Sequence, residues 1–371
     1  MLPCHGHAAA TLAGACIAAI QRAMAALPAG PVLLNSYVVE PGAADFDLTQ
    51  AIAAYVYDNA LAGLALLAAG DAPGARRIGE ALAVAQTNDR FWHDGRLRDG
   101  YQAGAMRAPA KLPGWWDAKA SRWAEDPYQV GSQTGPIAWA MLLWLALGMR
   151  DPALRAAGFI EAQLPAATGY AGGFYGFEPA PLKLLWQSTE QNVDVAVAFR
   201  RLGRAASAAN AAAFVRSMFG AGVFSAGLSP AGAKNTLLAA DAGIWPFLAG
   251  LGSAASASAA IARLKRGRGI GFSAASDSVW LEGTAFAALA LRRGGNPAGA
   301  AAFLDTISQQ TAPDGYVYAT VAPELATGLT IGPSLLAGVP EQKFNYFRRP
   351  SLSATAWTAL AAMNVNPLTI S

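Results

Sequence analysis

Apolar positions along this chain fall into runs that close at glycine and reopen within a few residues. Five such junctions recur: LLAAGDAP (Leu66 to Pro73), LALGMRDP (Leu145 to Pro152), FRRLGRAA (Phe199 to Ala206), LAGLGSAA (Leu248 to Ala255) and LRRGGNPA (Leu291 to Ala298). Glycine stops a helix because it takes the left-handed conformation freely, Asp, Ser or Asn caps the next one, and proline is tolerated in a first helical turn. The junctions therefore predict tight helix-to-helix turns at Gly70, Gly148, Gly203, Gly252 and Gly294. Each turn joins a very apolar run to a more amphipathic one. The apolar set is 51–69, 133–148, 189–202, 238–250, 280–293 and 352–363; the amphipathic set is 72–88, 152–164, 205–219, 253–266 and 297–311. A helix that is apolar nearly all round belongs inside a protein, and one with a polar stripe lies outside.

The sixth apolar run stops at Asn364 with no successor, but residues 8–27 supply an unclaimed amphipathic helix whose apolar face includes Leu12, Ala15, Ile17, Ile20 and Met24. Six pairs result if the ends meet. The intervals between turn glycines are unequal, which argues against a fixed-period solenoid. Buried and outer helices alternating through short turns at one end and long connections at the other describe an all-α (α/α)6 toroid. The expected organisation is one domain over 1–371, with residues 8–27 closing the ring against 352–363. The longest connections, 89–131 and 312–350, then gather on the face where the buried helices begin, and loops on a rigid scaffold commonly carry function.

Composition supports burial without suggesting a polymer partner of opposite charge. The 371 residues are 54% hydrophobic and 14% charged, with mean hydropathy +0.28, and much of the apolar content is alanine, which suits close helix packing. The longest uncharged apolar run, Thr134 to Met149, is shorter than the roughly 20 residues that span a bilayer and reads as a buried helix, so no membrane span is expected. Net charge +3 is too mild to imply nucleic acid. The basic cluster Arg263, Lys265, Arg266 and Arg268 falls where a helix should end and complements its dipole. Cys4 and Cys16 exclude a disulfide framework. Ala8 to Ile20 is apolar but has no Lys or Arg before it, which supports a secretory signal only weakly.

Candidate chemistry sits where the apolar runs begin. In WQSTEQNVDVAVAFRR (Trp186 to Arg201), Ser188 can cap, Gln191 stands three residues on as in a capping box, and Glu190 and Asp194 share one helix face. Asp58, Asp241 and Glu282 occupy similar entrances. On a ring these positions converge on the axis, and a pair of carboxyls there, one protonated and one ionised, is what glycoside hydrolysis uses. Capping is the competing explanation, since Asp is favoured at helix starts. Glu282 follows Trp280 and Leu281, so an apolar setting should keep it protonated as the acid. Glu190, at a positive dipole end, suits the base or nucleophile, with Asp58 in reserve. The connections add Trp116, Asp117, Gln133, Tyr175, Trp186, Trp280, Tyr346 and Arg348, which with Asp194 and Asp241 offer rings for sugar faces and polar groups for hydroxyls.

Other toroid chemistries are tested by absence. Only His5, His7 and His93 exist, so a zinc site of His and Cys ligands is not expected, and no metal or cofactor is. No DxDD acid motif, serine-hydrolase elbow or phosphate loop occurs. The segments YDNALAGLALLAAGD (Tyr57 to Asp71), STEQNVDVAVAFRRLG (Ser188 to Gly203), VWLEGTAFAALALR (Val279 to Arg292) and SATAWTALAAMNVNP (Ser353 to Pro367) resemble those of bacterial (α/α)6-toroid proteins of the six-hairpin, glycoside-hydrolase-like class. The resemblance, from Tyr57 onward, implies a polysaccharide-associated glycosidase with an oligo- or polysaccharide as its partner. Many such proteins are exported, so the compartment stays open, as do oligomeric state, a non-catalytic glycan-binding role and a polysaccharide lyase.

Overall fold

The glycine junctions fold as helical hairpins in the computed structural model, which describes residues 4–40, 45–331 and 342–370. In chain order the helices are α1 (Cys4–Ala25), a six-residue α2 (Asp45–Gln50), α3 (Val56–Ala68), α4 (Ala72–Thr87), α5 (Thr134–Ala146), α6 (Arg150–Gln163), α7 (Thr189–Leu202), α8 (Ala205–Ser217), α9 (Ala240–Leu248), α10 (Ala254–Leu264), α11 (Leu281–Arg293), α12 (Pro297–Ser308) and α13 (Leu352–Ala362). The helices α3, α5, α7, α9, α11 and α13 touch in that order, and α13 returns to α3. They form the inner ring of an (α/α)6 toroid. Each of α4, α6, α8, α10 and α12 packs outside the helix before it, and α1 packs on α13.

Local chemistry fixes these boundaries. Every one of the five tight turns carries a left-handed glycine: Gly70 (φ 88°), Gly148 (73°), Gly203 (86°), Gly250 (74°) and Gly295 (87°). Two differ from the expected stops: Gly250 replaces Gly252 because α9 ends at Leu248, two residues before the apolar run does, and Gly295 replaces Gly294, which caps α11 with φ −83°. Asp71, Ser188, Ser253 and Asn296 accept side-chain caps from the third residue beyond them. The inner helices are buried over nearly their whole length; in α5 the run Thr134–Trp144 is buried except at Pro136, so the long apolar stretch is ring interior. Among the described residues, Ala8–Ala25 in α1 is long and apolar enough to cross a membrane by length and composition, and 39% of it is buried inside the fold. Its buried face is Leu12, Ala13, Cys16, Ile17, Ala19, Ile20 and Met24, while Ala15, expected there, is exposed.

The connections at the entrance face hold short antiparallel strands that the sequence did not announce. Ser132–Gln133, Gly173–Tyr175 and Leu182–Leu184 form one small sheet, and Gln187–Ser188, Gly227–Leu228 and Lys234–Asn235 another. Strands of two or three residues are too short to show alternation. A charge network pins the connections together: buried Arg98 donates to Asp89 (2.7 Å), Glu178 (3.0 Å) and the Val130 carbonyl (3.0 Å), and Arg90 pairs with Glu125 and Glu178. The basic cluster is only partly a helix-end feature. Arg263 alone lies in the last turn of α10, Arg266 donates to the carbonyls of Ser276 and Ala274, and Arg268 pairs with Asp305.

If α1 is part of the packed ring, its loss uncovers α13. Apolar burial contributes about 25 cal/mol per Å2, so several side chains amount to several kcal/mol, comparable to a domain's net stability. A chain lacking residues 1–27 should melt at least roughly 5 °C lower or aggregate, as read by scanning calorimetry. Soluble expression with an unchanged midpoint would show that α1 contributes nothing to the fold.

Candidate functional site

At the entrance end of the ring a cavity of about 460 Å3 opens between the inner-helix starts, within the roughly 300–1,000 Å3 typical of small-ligand sites. Counting from the first residue of each inner helix explains its lining. The second positions of α3, α5, α7, α9, α11 and α13 are Tyr57, Gly135, Glu190, Asp241, Glu282 and Ser353. The sixth positions, one turn deeper on the same face, are Leu61, Trp139, Asp194, Trp245, Phe286 and Trp357. Tyr57, Gly135, Glu190, Asp241 and Glu282 of the upper set line the cavity as its rim, and Trp139, Asp194 and Trp245 of the lower set line it one turn deeper; Ser353, Leu61, Phe286 and Trp357 are buried outside the lining. Strand connections complete the wall with Gln133, Trp186, Trp280, Phe344 and Tyr346.

Floor and rim are fixed by contacts around the ring. Trp139, Trp245 and Trp357 meet one another with centroids 5.4–5.9 Å apart. The Trp357 indole donates to Tyr57 Oη (2.8 Å), and Tyr57 donates to Glu282 Oε1 (2.6 Å). Ser353 donates to the other oxygen, Oε2 (2.8 Å). Glu282 is therefore held on both oxygens. Asp241 accepts the Ala242 amide (2.6 Å) and a hydrogen bond from Glu190. Gln191 Nε2 donates to Gln133 Oε1 (3.2 Å), and the Gln133 backbone N–H donates to Asp99 Oδ1 (2.7 Å).

Burial dominates the electrostatics. Burial pushes Glu282 up to about 8, against the lowering effect of the Tyr57 hydrogen bond. Glu190 is raised well above the carboxylate range by burial and then by the charges of Asp241 and Asp194. Asp194 is raised by burial and Asp241. Asp241 ionises most readily, at about 6, because the Ala242 amide and Glu190 offset its burial. The expectation that a helix dipole would keep Glu190 ionised is thus reversed. A dipole end contributes about 0.3–1 kcal/mol at the surface, whereas burying a carboxylate costs several kcal/mol. Lys234 is the only cationic side chain among the described lining residues, and it is exposed and donates to the Ser217 carbonyl.

Of the residues expected from sequence, Glu190, Glu282, Gln133, Trp186, Asp194, Asp241, Trp280 and Tyr346 line this cavity. Five do not. Asp58 is buried behind Glu282, hydrogen-bonded to Ser36 and Ser353, with its pKa pushed up to about 7 by burial. Trp116 is 61% exposed on the hairpin of Trp115–Asp117 with Arg122–Ala124, and Asp117 closes that hairpin by accepting the Lys119 and Ala120 amides. Tyr175 is buried on its strand. Arg348 is occupied with Gln310, the carbonyls of Thr320 and Val321, and the Tyr318 ring. His93 is exposed and outside the lining, and the side chains of His5 and His7 lie outside the described residues. Sequence reasoning missed Tyr57, Trp139, Trp245, Trp357 and Ser353. Their signal was present: a tryptophan at the sixth position of alternate inner helices. A second cavity of about 470 Å3 lies against α1, but Arg22 and Asp314 are its only charged lining residues.

Three-dimensional comparison places this arrangement among known rings. A glycosidase variant in complex with glucose superposes at TM-score 0.64 and 15% identity over 100% of both chains. A family 76 glycoside hydrolase from a bovine Bacteroides thetaiotaomicron strain matches at TM-score 0.54 and 10% identity, over 94% of this chain and 76% of its own. The fold is that of the six-hairpin glycosidases. It is not exclusive to them, because a type II terpene cyclase from Scytonema matches at TM-score 0.57 and 15% identity over 98% of this chain and 99% of its own. No protein-family profile and no curated sequence matches the chain.

The raised carboxyl of Glu282 has a stability consequence with a definite sign. An unfolded glutamate ionises near about 4.3, and the folded one holds its proton to about 8. The native state binds the extra proton across that window, so this group's contribution is full below the lower value and is lost as pH rises through the upper. Glu282→Gln removes the titration. The melting midpoint of the variant, relative to wild type, should climb between pH 5 and pH 8.5; a pH-independent difference would mean that Glu282 is ionised throughout.

Proposed function

We propose that this protein hydrolyses glycosidic bonds at the ring-end cavity, with Glu282 as proton donor and the hydrogen-bonded Glu190–Asp241 pair as the base or nucleophile. The observation that carries this reading is the convergence of Glu190, Asp241 and Glu282, from the second positions of three consecutive inner helices, on one cavity, with Glu282 held on both oxygens by Tyr57 and Ser353. Near neutral pH the Glu190–Asp241 pair holds one proton and one charge, while Glu282 keeps its proton. One protonated and one ionised carboxyl function are the two requirements of glycoside hydrolysis. Asp241 sits between the other two on the ring, so it sets the charge that both feel. The pair titrates as a unit, and which of its oxygens attacks is a property of the pair.

The cavity's shape supports a sugar. Trp186, Trp280 and Tyr346 offer ring faces, the rim offers hydroxyl partners, and a glycosidase of the same fold has been captured with glucose. The volume suits one or two sugar units at a time, so an oligo- or polysaccharide would be engaged through a terminal segment. A lyase is disfavoured by the same groups. Burial raises Tyr57, Tyr128 and Tyr346 well above the usual phenol range, which makes them poor bases, and no arginine lines the cavity among the described residues to neutralise a uronate.

Reducing-end release across a glycan panel tests the assignment. Glu190→Gln and Glu282→Gln should each lower kcat by a factor of roughly one hundred to ten thousand; wild-type rates in both would remove both residues from the chemistry. The kcat profile should be bell-shaped, rising through about 6 as the pair ionises and falling through about 8 as Glu282 loses its proton. Tyr57→Phe removes a donor that favours the Glu282 carboxylate, so its alkaline limb should move to higher pH. A limb that stays in place or moves down would show that Tyr57 does not tune this acid.

A further inference from the structure

The small net charge of this chain hides a separation between the two ends of the ring. The five tight turns that close the hairpins, with the first two turns of α4, carry the exposed arginines Arg76, Arg150, Arg200, Arg204, Arg292 and Arg293. Half-buried Arg77 and Arg201 stand beside them. Against these, the five turns hold two carboxylates, Asp71 and Asp151. Asp71 is already engaged, accepting the Gly74 amide (2.9 Å) and the Gln21 side-chain amide (2.9 Å). None of the eight arginines is ion-paired among the described residues. The rim carboxyls Glu190, Asp241 and Glu282 all lie at the opposite end, where the inner helices begin.

Helix capping accounts for part of this pattern. Arg76 donates to the Leu147 carbonyl (3.3 Å), Arg150 to Leu202 (3.2 Å), Arg200 to Ala249 (3.2 Å), Arg292 to Ala362 (3.5 Å) and Arg293 to Asn364 (2.9 Å). A guanidinium from one hairpin thus meets a carbonyl at the end of the next inner helix. Capping does not consume the charge, however. A guanidinium has five N–H donors, and each of these contacts uses one. The inner-helix C-termini bring about half a negative charge each, which the outer-helix N-termini at the same turns offset. Arg204 makes no cap at all: it precedes α8 with no side-chain cap bond and is exposed.

The six exposed arginines occupy four of the six sectors of the ring, in the hairpins that begin with α3, α5, α7 and α11. A linear polyanion would follow one row of them, whereas a plane of negative charge meets all at once. No large hydrophobic side chain is exposed in the five turns among the described residues, so contact there is electrostatic and needs no insertion. We propose that the turn end of the ring docks peripherally on an anionic lipid surface, leaving the cavity mouth at the other end open to solvent. An arginine held near an anionic leaflet strengthens binding roughly fivefold. This inference is independent of the hydrolase reading.

Sedimentation with vesicles of phosphatidylglycerol and phosphatidylcholine in equal parts, against phosphatidylcholine alone, tests it on the full chain. Wild type should prefer the anionic vesicles at least tenfold at about 0.1 M salt and lose that preference at about 1 M, where the screening length falls from about 10 Å to about 3 Å. Arg150→Gln, Arg204→Gln and Arg293→Gln together should weaken anionic-vesicle binding at least tenfold. The same three positions changed to Lys, which keeps the charge without the planar fork, should stay within threefold of wild type. Should the Gln triple fail to fold, Arg204→Glu alone leaves every cap in place and should still weaken binding at least fivefold. Lys119→Gln with Arg122→Gln, on the exposed hairpin at the entrance end, should change it less than twofold. Equal affinity for both vesicles, binding that survives high salt, a Lys triple as weak as the Gln triple, an equal loss from the hairpin pair, or capture by dextran sulfate without vesicle binding would overturn the proposal. Rates of the Gln triple on the glycan panel should match wild type, since no turn residue lines the cavity, so the two proposals fail separately.

Discussion

Burying carboxyl groups at a ring end that offers, among the described lining residues, no cation but the exposed Lys234 is the constraint on which the rest of this structure depends. Six helix starts point at one cavity, and their dipoles favour negative charge there. That contribution is smaller than the several kcal/mol lost when a carboxylate leaves water. Protons make up the difference, so Glu190, Asp194 and Glu282 hold theirs to unusually high pH and Asp241 alone ionises near about 6. The rim is thereby a store of protons graded by local hydrogen bonding. Asp241 gives up its proton first because an amide and Glu190 both donate to it; Asp194, with only the Trp139 indole to lower it against burial and the charge of Asp241, keeps its own.

The packing that imposes this constraint comes from small residues. Alanines pervade the inner helices and are buried from Ala60 and Ala62 in α3 to Ala359 and Ala361 in α13, which lets six helices surround one axis closely. Four tryptophans, Trp139, Trp245, Trp280 and Trp357, collect where the helices begin, all nearly inaccessible, and the polar groups beside them are desolvated. The small-residue ring and the perturbed carboxyls are one design: a looser ring would admit water and return the acids to ordinary behaviour.

Much of this was legible in the sequence because it is carried by periodic or punctuated features. Glycine-capped junctions located the hairpins, and the alternation of apolar and amphipathic runs gave the ring and its order. Acids at helix entrances pointed to the correct end. What the sequence concealed was register. The apolar run from 51 and that from 238 begin in short strand or extended segments before α3 at Val56 and α9 at Ala240, so the second-and-sixth pattern that defines rim and floor could not be counted. Trp116, Tyr175 and Arg348 look like ligand contacts by residue type, yet one is exposed on a hairpin, one is packed under a strand and one is consumed by carbonyls. Residue type does not distinguish a ring that stacks on sugar from one that covers a loop. The protonation of Glu190 was misjudged because the dipole can be read from position, while burial and a neighbouring Asp241 from another helix cannot.

Because a terpene cyclase and glycosidases share this ring, the fold leaves the chemistry open and the side chains lining the cavity decide it. A cavity meant for a hydrocarbon needs an apolar lining throughout; here Asp194 interrupts it with a buried carboxyl. A cavity meant for an anion needs a cation on its wall, and the described lining places only Lys234 at the exposed edge. What remains consistent with both facts is a ligand rich in donors, polar at one side and flat enough to meet Trp186, Trp280 and Tyr346 at the other. Sugars have that asymmetry. Asp194 lies one turn deeper than the three rim acids, against the Trp139 indole, so the perturbed carboxyls are graded down the ring axis as well as around it.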